Sequence, residues 1–230
     1  EALEALNEGE EKLKRSIELG VGQLKIGVSS TLCKYMLLPY LKEFIHRNPH
    51  ISISIECQST NETLKLLDDD KIDIGLIGKP TSLKTFNFYY LDNIEDIFVT
   101  TKDYLRNLSA RGVKKSEILQ NSTLMLLDKG NMTRKYIDDY LQENQIHVKD
   151  SIDISNMDLL IDFAKIGVGV ACVIKSIVSK ELADGTLIEI PLGIPIHKRE
   201  VGFAYKESSK LSTSLQTFIK FYESYTPEDF

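Results

Sequence analysis

The sequence predicts an α/β fold made of two units, each an open sheet with helices packed on it. Three observations predict it. Strand-like runs with period-two patterning alternate with helical stretches from the start, the signature of βαβ units with right-handed crossovers. Ile72-Asp73-Ile74-Gly75-Leu76-Ile77 is nearly continuous in apolar residues, as a strand covered on both faces of a parallel sheet must be. The length, 230 residues, exceeds an average domain and, at roughly 150 residues each, corresponds to about one and a half.

The elements follow in order. Residues 1–20 read as a charged helix with a narrow seam of Leu3, Leu6, Leu13 and Ile17 on heptad a and d positions, stopped by Gly20 and Gly22. Leu24, Ile26 and Val28 alternate with Lys25 and Gly27 and predict the first strand. Pro39 suits the first turn of a helix running to Arg47, with Leu41, Phe44 and Ile45 on one face, and Asn48-Pro49 ends it. Ile51, Ile53 and Ile55 alternate as a second strand. Thr60–Asp70 is a short helix, and Ile72–Ile77 the third strand. Phe86–Leu91 and Asp96–Thr101 are further strands, and Lys102–Glu117 is polar and reads as loop. Then come strand Ser122–Leu127, helix Thr133–Asn144, strand Asp150–Ile154, helix Asn156–Lys165 ending at Gly167, strand Val168–Ile174 and helix Ser176–Leu182. Strands Leu187–Ile190 and Val201–Tyr205 and a helix Leu211–Tyr225 close the chain. The two units fall at about Gln23–Thr100 and Thr101–His197, with the tail rejoining the first.

Composition narrows the function. Apolar residues make up 42% and charged residues 27%, an ordinary globular mix. The net charge is −6. A surface that grips DNA carries a basic excess to neutralise phosphates, so these residues are not expected to touch nucleic acid themselves. Cys33, Cys57 and Cys172 are odd in number, lie far apart and form no CxxC pair, so reduced thiols in a cytoplasmic protein are expected. His46 and His50 are four apart, but Pro49 breaks any helix between them, so no zinc site and no metal is expected. Glu1–Arg15 is too charged for a signal peptide, and no apolar run reaches the roughly 18 residues of a membrane span.

No GxSxG elbow and no Gly-rich phosphate loop occur, and the carboxylates sit in runs such as Asp68-Asp69-Asp70 that suit solvated helix ends. No catalytic residue and no cofactor stand out, so an enzyme is not expected. Two polar turns are more informative. Ser29, Ser30 and Thr31 follow the first strand, at the carboxyl end where open α/β sheets bind ligands. They serve equally well as plain helix caps. Gly130-Asn131-Met132-Thr133-Arg134 again joins a strand to a helix, with an arginine in the first turn, where the helix dipole disfavours it. A guanidinium there can clamp a carboxylate; a surface arginine is the plainer reading.

The order and spacing of Leu37-Leu38-Pro39, Leu41, Phe44, Pro49, the Ile51/Ile53/Ile55 strand, Leu64, Leu67 and Ile72-Asp73-Ile74-Gly75-Leu76 resemble the effector-binding domain of LysR-type transcriptional regulators. The resemblance continues through Ile166-Gly167-Val168-Gly169-Val170 and Leu211–Phe218 and spans about Gly20 to Tyr225. Ser59 departs from it, standing where the family usually has Gly. The resemblance implies two Rossmann-like subdomains in a type II periplasmic-binding-protein-like fold, joined by crossovers near Val99–Lys102 and His197–Gly202. It implies that 1–20 is the end of a linker helix, that 21–100 and 200–230 form one regulatory subdomain, and that 101–199 form the other. A small effector, an organic acid or amino-acid-like molecule, is expected in the cleft between subdomains. The matching positions are Ser29, Ser30, Thr31, Thr100, Thr101, Gly130, Asn131, Thr133 and Arg134, with Arg134 paired to a carboxylate. Self-association as dimer or tetramer is implied, with DNA bound through a winged helix-turn-helix absent from these residues. Peroxide sensors of the family use two cysteines in the second subdomain; only Cys172 lies there, so thiol sensing is not expected. Two alternatives share the scaffold: an extracytoplasmic solute-binding protein, against which the charged heptad helix argues, and an enzyme such as a dehydratase.

Overall fold

The computed structural model describes residues 22–80, 82, 85–207 and 211–225; the helix expected over 1–20 lies outside them. The chain divides into two compact units, one running to Tyr89 and resuming at Gly202, the other Tyr90–Val201.

In the first unit, β1 (Gly22–Val28), β2 (Ile51–Cys57), β3 (Ile74–Gly78), β4 (Phe86–Ile94) and β10 (Arg199–Lys206) form a sheet in the order β2-β1-β3-β10-β4. β1 runs parallel to β2, with Gly22 opposite Ile51 and Val28 opposite Cys57, and parallel to β3. The alternation read in β1 and the continuous run of β3 thus mark a strand at the centre of a parallel sheet and its neighbour. Helix α1 (Leu38–Arg47) follows β1, α2 (Thr60–Asp68) follows β2, and α8 (Thr213–Ser224) closes the unit. α8 packs on β1 and α1, and α2 on β1 and β3. The core under α8 is aromatic: Phe218 meets Phe44 edge-on at 4.9 Å between ring centres and Phe203 at 5.2 Å, and Tyr222 stacks on Phe203 at 4.7 Å.

The start of α1 differs from expectation. The chain turns helical at Ser30, not at Pro39, through an α turn Ser30–Leu32 and a π-helical turn Cys33–Leu37. Pro39 has no N–H to complete a regular turn, and the wider π turn, closed by Leu38 N–H to the Cys33 carbonyl, carries the helix into it.

The second unit holds β5 (Asp96–Thr100), β6 (Thr123–Leu127), β7 (Asp150–Ile154), β8 (Val170–Ile174) and β9 (Ile188–Glu189) in the order β7-β6-β8-β5-β9. β6 is parallel to β7 and β8, and β5 is antiparallel to β8 and β9. The sequence places residues up to Thr100 in the first unit; the structure moves the change to Tyr89/Tyr90. All five residues of β5 are buried, and pairing with β8 and β9 is what buries them.

The helices are α3 (Lys102–Ala110), α4 (Ile118–Asn121), α5 (Met132–Glu143), α6 (Met157–Lys165) and α7 (Ser179–Asp184). α3 corrects the expected loop after Lys102. Thr101 caps it, its hydroxyl accepting from Tyr104 N–H at 3.2 Å. Leu108 is the only fully buried residue of α3, so its apolar stripe is too narrow to show in a polar stretch. The helix expected over Ser176–Leu182 is split into a 3₁₀ turn, Lys175–Val178, and α7. The core is mainly aliphatic, with two rings, Phe98 and Tyr140, among Leu124, Leu126, Ile137, Val170 and Ile190. The Gly-x-Gly of the sequence has a steric reason. Gly167 ends α6 with φ +78°, and a Cβ on Gly169 would lie 2.3 Å from the Thr123 carbonyl oxygen where β8 meets β6.

Candidate functional site

In the first unit, Ser29 sits at the carboxyl end of β1 with extended φ −74°, ψ 153°. Its hydroxyl accepts from Leu32 N–H at 3.3 Å and its carbonyl from Cys33 N–H at 2.8 Å, so it is a true cap. Ser30 is exposed and Thr31 half-buried. The first N–H groups of a helix have no partner within it, so this turn presents donors where the dipole is positive. Beside it, Gln58 donates its backbone N–H to the Val28 carbonyl at 2.9 Å. The Gln58 amide nitrogen is buried and has no hydrogen-bond partner among the described residues. The sequence offers no signal for Gln58; only the β1–β2 register brings it to this end of the sheet.

In the second unit, the turn after β6 is closed by Asn131 N–H to the Asp128 carbonyl at 2.9 Å. Asn131 caps α5, its side-chain oxygen accepting from Thr133 N–H at 2.8 Å, and Gly130 is exposed. α5 is twelve residues long, enough for a developed dipole. The Thr133 hydroxyl accepts from Arg199 Nη2 at 3.3 Å. Arg199 in turn grips Asp96 with two bonds, 2.7 Å from Nε and 2.9 Å from Nη2. The Asp96 carboxylate is fully buried and the Arg199 side chain is 14% exposed. The guanidinium lies over the Tyr136 ring at 5.3 Å, and the Tyr136 hydroxyl donates to the His197 carbonyl at 2.7 Å. Burial, the first cause, and the Asp96 and Glu143 charges hold that phenol above its ordinary pKa, against the opposing Arg199 charge. Arg199 was not expected at the site. It is 66 positions from Thr133 and carries no local motif.

Of the other candidate residues, Thr100 and Arg134 are buried and Thr101 is half-buried. Thr100 is fully buried and its hydroxyl donates to the Gly169 carbonyl at 2.7 Å, tying β5 to β8. The Thr101 hydroxyl caps α3 and lies 3.2 Å from where a Gly167 Cβ would stand. Arg134 is expected to meet an effector carboxylate, but its side chain is 7% exposed and its bonds go into the unit. Nε donates to Asp138 at 2.8 Å, and Nη1 to the Leu127 carbonyl at 2.8 Å and to Asp153. Burial opposes its charge, but Asp138 and Asp153 outweigh that and raise its pKa. The dipole penalty noted in the sequence is therefore offset by a strut joining α5 to the ends of β6 and β7.

A cavity of about 380 Å³ in the second unit is lined by Lys102, Leu105, Arg106, Val113, Lys115 and Ile190, and none of the nine candidate residues borders it. Among the described residues, no group of three metal-ligating side chains is found, and no helix is long and apolar enough to cross a membrane.

The family model described as LysR substrate binding domain matches residues 18–226. The chain belongs to the LysR substrate-binding domain family. Its curated relatives are transcriptional regulators, not enzymes. The uncharacterized HTH-type regulator YeiE of Escherichia coli K12 is 23% identical over 201 residues, 87% of this chain and 67% of that protein. The HTH-type activator CmpR of Synechocystis is 25% identical over 206 residues, 87% of this chain and 65% of that protein. This LysR substrate-binding domain thus spans about two thirds of the length of such relatives. Among solved structures, the Synechocystis CcmR regulatory domain in complex with 2-PG superposes with a TM-score of 0.73 at 18% identity, covering 87% of this chain and 95% of that one. The effector-binding domain of QuiR in complex with shikimate gives 0.69 at 16% identity, covering 87% and 94%. The fold is therefore the type II periplasmic-binding-like fold of LysR effector-binding domains.

Proposed function

We propose that this LysR substrate-binding domain senses a small anionic metabolite, an organic acid or amino-acid-like molecule, through two polar turns, one in each unit. The turn Ser29-Ser30-Thr31, with Gln58 beside it, supplies one set of donors. Thr101 and the turn Gly130-Asn131-Thr133 supply the other. Thr100 and Arg134 hold the frame. The observation that carries the reading is the Thr133 hydroxyl at the capped start of α5, with the Arg199 guanidinium bonded to it. The domains seen with 2-PG and with shikimate support a small-molecule effector.

Effector binding is coupled to transcription through a DNA-binding segment outside these residues, in a cytoplasmic protein. A coupling of about 1–3 kcal/mol changes the bound state roughly five- to 150-fold, provided the effector prefers one state. Residues 1–20 are the end of the linker to that segment, and the two units are its regulatory subdomains. Self-association is supported by two exposed apolar faces. One carries Leu38, Ile45 and Ile55 on α1 and β2, the other Leu159, Phe163 and Ile166 at α6.

A thermal-shift screen of organic acids and amino acids tests the reading. A true effector at a hundred times its Kd stabilises by about 2.7 kcal/mol. Ser30→Ala and Thr133→Ala each weaken it. A panel with no stabilising compound, or an effector whose affinity neither variant changes, overturns the assignment.

A further inference from the structure

Cys33 and Cys57 are 24 positions apart and look unrelated in the sequence, yet the fold brings them together in the first unit. Cys57 is the last residue of β2 and stands opposite Val28 across the parallel β1–β2 pair. Cys33 follows one turn later: Ser29 is next after Val28, and Cys33 donates its N–H to the Ser29 carbonyl at 2.8 Å. Period-two alternation puts Cys57 on the β2 face of Ile53 and Ile55. Those two residues line a groove with Lys34 and Leu38, the residue after Cys33 and the one whose N–H closes the π turn on the Cys33 carbonyl. Cys33 is half-buried and Cys57 is exposed. The third cysteine, Cys172, is buried in the core of the other unit.

We propose that Cys33 and Cys57 are a dithiol that peroxide-class oxidants convert reversibly into an intramolecular disulfide. The exposed Cys57 thiolate attacks one peroxide oxygen; the O–O bond breaks and the other oxygen leaves as hydroxide, which takes up a proton to become water. Cys57 is then a sulfenic acid. Cys33 then gives up its proton and its thiolate attacks the Cys57 sulfur; the S–O bond breaks, and the departing hydroxide takes up that proton as a second water. Two thiols lose two electrons and two protons, and the peroxide becomes two waters.

The division of labour follows from the surroundings. Burial, then the neighbouring Cys57 through charge and a side-chain hydrogen bond, push the Cys33 thiol up to about 11, so it stays protonated at neutral pH. Cys57, open to solvent, is the sulfur a peroxide reaches, and Cys33 is the resolving partner. The bridge would staple the π-helical turn after Ser29–Thr31 to the end of β2. Its formation does not depend on that turn holding an effector.

The test is mass spectrometry of the purified chain after hydrogen peroxide treatment and alkylation of the remaining thiols. The expected product is a peptide pair linking Cys33 to Cys57, lighter by two hydrogens than its reduced parts, restored by dithiothreitol and absent in Cys33→Ser and Cys57→Ser. Cys172 stays unlinked. Cys57 oxidised to the sulfinic or sulfonic acid while Cys33 remains alkylatable overturns the proposal, as does a Cys57–Cys57 link between two chains. The wild-type measurement decides alone if either variant fails to fold.

Discussion

The two units build the same kind of turn at the end of a central parallel strand, but hold it in different ways. In the first, the strand behind Ser29–Thr31 rests on an aromatic cluster of Phe44, Phe203, Phe218 and Tyr222, and the turn depends on backbone geometry and a π-helical step. In the second, with one ring in the buried core cluster besides Tyr140, two guanidinium groups frame the turn. Arg199 fastens Asp96 to Thr133, and Arg134 fastens α5 to β6 and β7. Packing holds a turn without directing it, whereas a buried ion pair fixes the direction of every bond it makes. The first turn is thus free to adapt, and the second is preorganised.

Four changes probe that contrast, from the largest expected effect down. Phe218→Ala removes the ring that touches both Phe44 and Phe203 and should cost about 3–5 kcal/mol. Hydrogen exchange should show the amides of β1 and β3 losing protection before those of β6 and β8; equal loss in both units would mean that they unfold together. Asp96→Ala leaves the Arg199 guanidinium without its carboxylate and should cost about 3 kcal/mol, the lower end for a broken buried pair. Denaturant melts of this variant should lose protection in β5 and β8 first, the reverse of Phe218→Ala.

Arg134→Ala should cost about 2 kcal/mol, because the half-exposed Asp138 and Asp153 can turn to water while the Leu127 carbonyl loses a donor. Effector affinity measured by calorimetry should fall less than in Thr133→Ala. A loss above tenfold at unchanged stability would return Arg134 to the effector. The smallest effect is on pH. Hydrogen bonds from Lys198 first and Lys175, opposed by burial, hold the Glu95 carboxylate below its ordinary range. Its stabilising contribution is present above the unfolded carboxylate pKa and is lost as pH falls through the lowered folded value. Glu95→Gln should flatten the acid limb of a melting-temperature profile slightly; an unchanged profile would show the pair to be idle.

Local chemistry explains what could be read without coordinates. β1, β2 and β3 announce themselves by alternation or by a nearly continuous apolar run, and Gly167 and Gly169 by their spacing. Ser29 looks like a cap in the sequence and is one in the structure, and the turn read at Gly130-Asn131 is capped by Asn131. α3 was illegible because its buried stripe is one residue wide, and the π turn because Pro39 marks a helix start more strongly than the residues before it. The place of β5 was hidden for another reason: five buried residues say that a strand is covered, not which sheet covers it.

The sequence by itself determined the class of the fold and the positions of the two turns, since these rest on periodicity and capping within a few residues, and it carried the resemblance to the family in the order and spacing of residues such as Leu37-Leu38-Pro39 and Gly167-Val168-Gly169. Only the tertiary structure decided which side chains serve each turn. Arg199 comes to Thr133 from 66 positions away, Cys57 to Cys33 from across a strand pair, and Arg134 points into its own unit. Which partner a polar side chain meets depends on sheet order and register, and these are set by burying apolar faces that carry no record of the polar groups they bring together.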